Sequence, residues 1–240
     1  MNFINTILLI GILTVTANAQ NNSINVTDKK GFKQGKWKKL YRHGVIAYEG
    51  QFKDNIEYGT FTYYYNDGSI KATQMYRGLT QVAIATFYHK NGNIQATGLF
   101  NNTLKDSTWN YFDNEKNLIA IEHYILGSKT GTHTIYFKDR TIAEIISYQE
   151  NNKNGLFKEY YEDGILKIEG NYKNNKFHGS FFLYNSSGKQ KAKGNYKDGL
   201  KNGLWIYYNE NGKASEKIEY RLGNIISKEG IEWAKKEKFS

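Results

Sequence analysis

Cysteine and proline are both absent from the 240 residues. Without cysteine there is no disulfide framework, no thiolate metal site and no lipid-modified N-terminal cysteine, so packing alone must hold the chain together. Long apolar stretches are missing as well: the run Ile7–Val15 is too short for an ordinary membrane-spanning helix. No G-x-S-x-G elbow, phosphate loop or dinucleotide fingerprint occurs.

What is present begins with a leader. The apolar run is followed by Thr16-Ala17-Asn18-Ala19 and then Gln20. The A-x-A pattern fits signal-peptidase cleavage between Ala19 and Gln20, although Met1-Asn2-Phe3 carries no basic side chain. Export to the periplasm, the outer envelope or the medium is the expectation. Net charge is +10 and none of it lies in the leader. A basic surface favours polyanions such as acidic lipid or anionic glycan; export argues against nucleic acid.

The remainder is periodic. Gly35, Gly59, Ala83, Ser107, Gly131, Gly155, Gly179 and Gly203 recur every 24 residues without a gap. Seventeen residues past each stands an aromatic: Phe52, Tyr76, Phe100, Tyr124, Tyr148, Tyr172, Tyr196 and Tyr220. A fixed period of this length marks an array of one supersecondary unit. The segments are then a signal peptide (1–19), a linker or cap (20–34), eight repeats of 24 (35–226) and a C-terminal cap (227–240).

Within one repeat, two β-type runs, Leu156–Tyr161 and Ile165–Tyr172, flank Glu162-Asp163-Gly164. Asp-Gly between alternating runs signals a hairpin closed by a two-residue type I′ turn. That turn opposes Glu162 to Ile165, Tyr161 to Leu166, Glu159 to Ile168 and Phe157 to Gly170. The last slot also holds Trp37 with Gly50, Ala85 with Gly98 and Phe181 with Gly194, so that at Phe157, Trp37 and Phe181 a ring lies over the bare backbone of the glycine opposite. The turn slot degrades at Asn114-Glu115-Lys116 and Lys138-Asp139-Arg140, where a looser turn is expected.

Alternation assigns the faces. Counting from Gly35 as phase 0, one face collects Trp37, Phe61, Trp109, Phe157, Phe181 and Trp205 at phase 2, Ile46, Ile70, Ile94, Leu118, Ile142 and Leu166 at phase 11, and the aromatics at phase 17. The other face is polar except for a row at phase 5: Tyr64, Tyr88, Phe112, Tyr136, Tyr160, Tyr184 and Tyr208. Successive hairpins are expected to pair edge to edge. The fold class is all-β: an elongated, single-sheet antiparallel meander of eight hairpins, about sixteen strands and ~75 Å long at ~4.8 Å per strand.

The run Tyr160-Tyr161-Glu162-Asp163-Gly164 through Gly170-Asn171-Tyr172 to Gly179 resembles the MORN repeat, and more closely its bacterial variant. It recurs from Tyr184 through Gly188, Gly194 and Tyr196 to Gly203-Leu204-Trp205. The likeness covers about residues 31–226. It implies an elongated β-array serving as a binding or scaffolding surface, in relatives proposed to meet acidic phospholipids or protein partners, or labelled antitoxin-like. It brings no residue signature for any of these roles. The central repeats depart from the pattern, with Ser107, Lys116, Glu122 and Arg140 at glycine slots and Ala83-Ile84-Ala85 in place of Gly-x-aromatic.

The titratable residues do not assemble a site. His43, His89, His123, His133 and His178 fall at different phases, so no metal set converges. His133 takes the phase-2 ring slot and reads as a packed core histidine. Glu122 and Glu144 sit on the apolar face; their bland reading is a pairing with Lys116 or Arg140. No enzymatic activity, metal or cofactor is expected. The best binding candidate is Tyr64, Tyr88, Tyr136, Tyr160, Tyr184 and Tyr208, rigid amphipathic rings at equal spacing that serve either as a contact surface or as cross-strand ladders. The expected function is a protein-binding scaffold, with an antitoxin- or immunity-like role as one form of it; the alternative is an envelope-associated binder of anionic lipid or glycan through the basic, tyrosine-lined face.

Overall fold

In the computed structural model, residues 23–230 are described. The leader with Ala19 and Gln20, and the tail from Ile231 to Phe239, lie outside the described residues. Among the described residues every paired strand is antiparallel, and the 20 strands form one open sheet. Eight hairpins follow the eight repeats. Hairpins 1–4 pair Lys33–Leu40 with Ile46–Lys53, Ile56–Tyr64 with Ile70–Tyr76, Val82–Tyr88 with Ile94–Asn101, and Leu104–Phe112 with Leu118–Ile125. Hairpins 5–8 pair Gly131–Tyr136 with Ile142–Gln149, Asn152–Tyr160 with Leu166–Lys173, Gly179–Tyr184 with Gln190–Lys197, and Leu200–Tyr208 with Ala214–Arg221. Val26–Thr27 adds to the first edge and Asn224–Gly230 to the last.

The turn inside each hairpin is not type I′. In hairpin 6, Tyr161 N–H donates to Ile165 O and Gly164 N–H to Tyr161 O, both at 2.9 Å. Gly164 alone in that loop has positive φ, at 82°. This is a three-residue loop closed by one left-handed residue. Near the turn Tyr160, not Tyr161, therefore faces Leu166; a bulge at Lys167 absorbs the extra residue, and Glu159–Ile168 and Phe157–Gly170 pair as expected. The two degraded turns use the same geometry rather than a looser one, because Lys116 and Arg140 adopt the left-handed conformation at φ 73° and 72°. A Cβ in that region is strained. Lys116→Gly and Arg140→Gly are each expected to raise stability by about 0.5–1 kcal/mol. Urea unfolding measures this, and an unchanged midpoint in both would show that neither turn is strained.

Type I′ turns occur instead between hairpins, where both central residues have positive φ: Asp54-Asn55, Asn102-Thr103, Glu150-Asn151, Asn174-Asn175 and Asp198-Gly199. Asparagine tolerates that region because its short amide bonds locally. Here it also stitches neighbours: the side chains of Asn55, Asn151 and Asn175 each accept the backbone N–H of the residue 22 positions earlier at 2.8 Å.

The bulge inside each hairpin also reassigns a face. Because phase 11 opposes phase 5 (Tyr64 with Ile70, Tyr88 with Ile94, Tyr136 with Ile142, Tyr160 with Leu166), these aliphatics share the tyrosine face and not the ring face.

The ring face is the core of this single-layer sheet. Phe61, Trp109, Phe157, Phe181 and Trp205 are buried there. The glycine at phase 15 is covered as expected, but by the ring of the following hairpin. A Cβ on Gly98 would stand 2.2 Å from the indole of Trp109, and one on Gly194 2.3 Å from that of Trp205. The phase-0 glycine makes this possible. It takes positive φ (66° at Gly59, 75° at Gly203), as Ser107 does in its place before Trp109 (58°), in a bulge where one hairpin joins the next, and that bulge folds the phase-2 ring back over the preceding strand. Phase-17 aromatics meet these rings edge-on, as in Phe52–Phe61 at 5.1 Å and Tyr196–Trp205 at 5.1 Å.

Ala83 breaks the scheme. It lacks positive φ, and hairpins 2 and 3 pair from Ala72–Phe87 to Tyr76–Ala83 without a register shift. Gln74 there replaces the strand glycine and Ala85 the ring.

Candidate functional site

Three features on the two faces offer chemistry. The first is the tyrosine row. Tyr64, Tyr88, Tyr136, Tyr160, Tyr184 and Tyr208 are all half-buried and fall on one face. Four of them pack across from the phase-11 aliphatics, a ladder role. Tyr64 goes further: its hydroxyl donates to Glu49 Oε1 at 2.7 Å, and Lys38 Nζ lies 2.9 Å from the same carboxylate. Those bonds hold the Glu49 carboxyl below its usual range, while the carboxylate, with some burial, pushes the Tyr64 hydroxyl up to about 12.

Beside this row lies an apolar stripe. Ala83-Ile84-Ala85 puts Ile84 on the tyrosine face, directly opposite Met75 on one neighbouring strand and Leu99 on the other. Met75 is 57% and Ile84 45% exposed.

The second feature, missed in reading the sequence although it follows the period, is a lysine row on the ring face. Lys33, Lys105, Lys129, Lys153 and Lys201 share phase 22. Their ammonium groups stand over the rings: Lys105 is 4.7 Å from Trp109, Lys201 4.4 Å from Trp205 and Lys153 5.2 Å from Tyr172. Such contacts contribute about 0.5–1 kcal/mol each at exposed sites.

The third is a polar cluster where Glu122 replaces the phase-15 glycine. Glu122 pairs with neither Lys116 nor Arg140. Its carboxylate lies 2.8 Å from Lys129 Nζ and accepts the Tyr124 hydroxyl at 2.6 Å. The reason is geometric: Lys116 and Arg140 are in turns at the end of the sheet, whereas Lys129 belongs to the adjacent lysine row. Burial raises the Glu122 carboxyl, but hydrogen bonds from Lys129, Tyr124 and Tyr111 outweigh it and bring the group to about 2. His133 fills the ring slot, 4% exposed, with Nε2 3.1 Å from His123 O. Trp109 Nε1 donates to Leu99 O, at the equivalent phase, also at 3.1 Å. Histidine thus reproduces the tryptophan anchor, and burial lowers its pKa. Glu144 stands opposite Glu159, and burial raises its carboxyl. Among the described residues no three His, Asp or Glu side chains gather to hold a metal.

Fold and faces together define an array of β-hairpin repeats in one open sheet. Five segments match the family model of the MORN repeat variant: residues 33–54, 57–77, 81–102, 153–174 and 201–222. They correspond to hairpins 1, 2, 3, 6 and 8, and Glu122, His133 and Glu144 all lie in the stretch between the third and fourth matches. MORN repeats are in general modules for contact with proteins or membranes, not enzymes. No curated protein matches the chain.

Proposed function

We propose that this chain is an exported, non-enzymatic interaction module that holds a protein partner on its tyrosine face. The observation that carries the reading is the stripe Met75–Ile84–Leu99, apolar, largely exposed at its first two members and set among strands of the array's interior. Exposed apolar patches flanked by rigid tyrosines suit protein contact, since they bury area at little entropic cost. Neighbouring Tyr88 extends the patch along the same strand. Export rests on Ile7–Val15 and the A-x-A pattern after it. In its antitoxin- or immunity-like form, the reading takes the partner to be one protein held in stoichiometric, salt-tolerant complex.

The test is affinity capture from envelope extract on immobilised residues 20–240, beside a Met75→Lys/Ile84→Lys variant. A protein kept through a raised-salt wash by the first and lost by the second supports the reading. Equal capture by both removes the stripe from it. Retention only of anionic lipid or glycan, lost as salt rises, favours the second reading, for which the lysine row and the +10 charge speak.

A further inference from the structure

The lysine row breaks beside Ala83. At phase 22 the chain carries Glu57 and Gln81 instead of lysine, and the next ring along, at Ala85, is absent. With no bulge between hairpins 2 and 3 and alanine at position 85, no phase-2 ring folds back over this part of the ring face. A cavity of about 340 Å³ opens there, walled by Phe52, Tyr76 and Phe100 and edged by Glu57, Gln74 and Gln81. It lies on the face opposite the Met75–Ile84 stripe.

Two observations define its chemistry. Glu57 is the one charged residue of the lining, in a protein of net charge +10. The Tyr76 hydroxyl donates to its carboxylate and so fixes it at the cavity wall. The rings also lack a partner that their counterparts have. Five of the other six phase-17 rings carry a lysine ammonium, among them Phe52 with Lys33 at 4.6 Å, Tyr124 with Lys105 at 5.2 Å and Tyr220 with Lys201 at 5.2 Å, and the sixth, Tyr196, has the Phe177 ring there instead. Among the described residues, no lysine stands over Tyr76 or Phe100, whose phase-22 neighbours are Glu57 and Gln81.

We propose that this cavity binds a primary alkylammonium group from outside the chain, with Glu57 as counter-ion, the rings of Tyr76 and Phe100 as its cation–π wall, and the Gln74 and Gln81 carboxamides accepting its N–H groups. The protein's own lysines show that this face accepts an ammonium beside its phase-17 rings, and here the position is left open with an acid next to it. The volume suits a small ligand or one inserted side chain.

The test is calorimetric titration of residues 20–240 with n-butylammonium, with Nα-acetyl-lysine amide, and with N-acetylglucosamine as a neutral control. Saturable binding of the ammonium compounds is expected, weakened tenfold or more by Glu57→Gln. Gln81→Lys restores the residue that five repeats carry at that phase, so it is expected to fold normally by circular dichroism and to fill the site from within, abolishing binding. Tighter binding of the lysine amide assigns the group to a protein side chain, and tighter binding of butylammonium to a free amine; both support the site. No saturable ammonium binding, undiminished affinity in folded Gln81→Lys, or preference for the neutral sugar would overturn it.

Discussion

Gly98→Ala is expected to destabilise the array by about 1–3 kcal/mol although it adds a single methyl group. The backbone at Gly98 is ordinary strand, so no conformational strain is involved; the obstacle is the Trp109 indole, 2.2 Å from where the Cβ would stand. That ring cannot swing aside. It is 1% exposed, held edge-on by Phe100 at 4.9 Å, and anchored through Nε1 to Leu99 O. Trp109→Ala removes the ring and is expected to cost more, about 3–5 kcal/mol. In the double variant the two losses should fall short of additive, because once the indole is gone the methyl has room. Urea unfolding of the four chains measures the cycle. Strict additivity would mean that ring and glycine do not act as one unit.

Stability is also expected to fall steeply in acid through one residue. Glu122 titrates at about 2 in the folded chain against 4.5 for a free glutamate. A carboxyl whose folded pKa is depressed stabilises in full above its unfolded value and loses that contribution as pH drops through the folded one. The window therefore runs from about pH 4.5 down to about 2, and the contribution at neutral pH, about 3–4 kcal/mol before solvent screening of the partly exposed pair, is on the order of 2–3 kcal/mol after it. Glu122→Gln keeps the shape but not the charge. Its stability should lie below the parent's at pH 7 and converge with it toward pH 2. Other carboxylates, Glu49 among them, shift in the same direction, so the difference between the two proteins, not the parent curve alone, isolates the effect. Parallel curves would remove Glu122 as the source.

The array could be read from the sequence because its marks repeat at equal phase. An aromatic at phase 17 stands in all eight repeats, glycine at phase 0 and Trp or Phe at phase 2 in six each, and glycine at phase 15 in four; these are demands of the backbone and of ring packing. The register came out right away from the turns because every strand is tied to its partner by that pattern. The turns themselves were misread. Asp163-Gly164 suits type I′ and the three-residue loop alike, while the true type I′ turns hide in pairs such as Asn174-Asn175 that contain no glycine. The covering of Gly50 by Phe61 rather than Trp37 depends on the bulge at Gly59, and no local propensity announces that a left-handed glycine will fold the next ring backwards. The lysine row was equally periodic, but lysine on a β surface ordinarily means solvent, and only the ring distances give it another meaning.

At the edge formed by the hairpin loops, Tyr41, Tyr65 and Tyr161 each reach forward to the next hairpin, their hydroxyls donating to the carbonyls of Tyr64, Tyr88 and Tyr184, and the His89 ring meets Phe112 O in the same way. The same phase holds Asp113, Phe137, Asn185 and Asn209, and the two asparagines bond within their own loops. Asp113 turns its carboxylate inward to Asn117, and phenylalanine has no hydroxyl to offer. Between hairpins 4 and 5 that seam is spanned by the exposed pair Lys138–Glu115, which contributes at most about 1 kcal/mol. Under tension the sheet will therefore not stretch evenly. Along its loop edge this seam can fray, while inside the sheet Glu122–Lys129 and His133–His123 bind the same two hairpins, so the rim parts before the middle does.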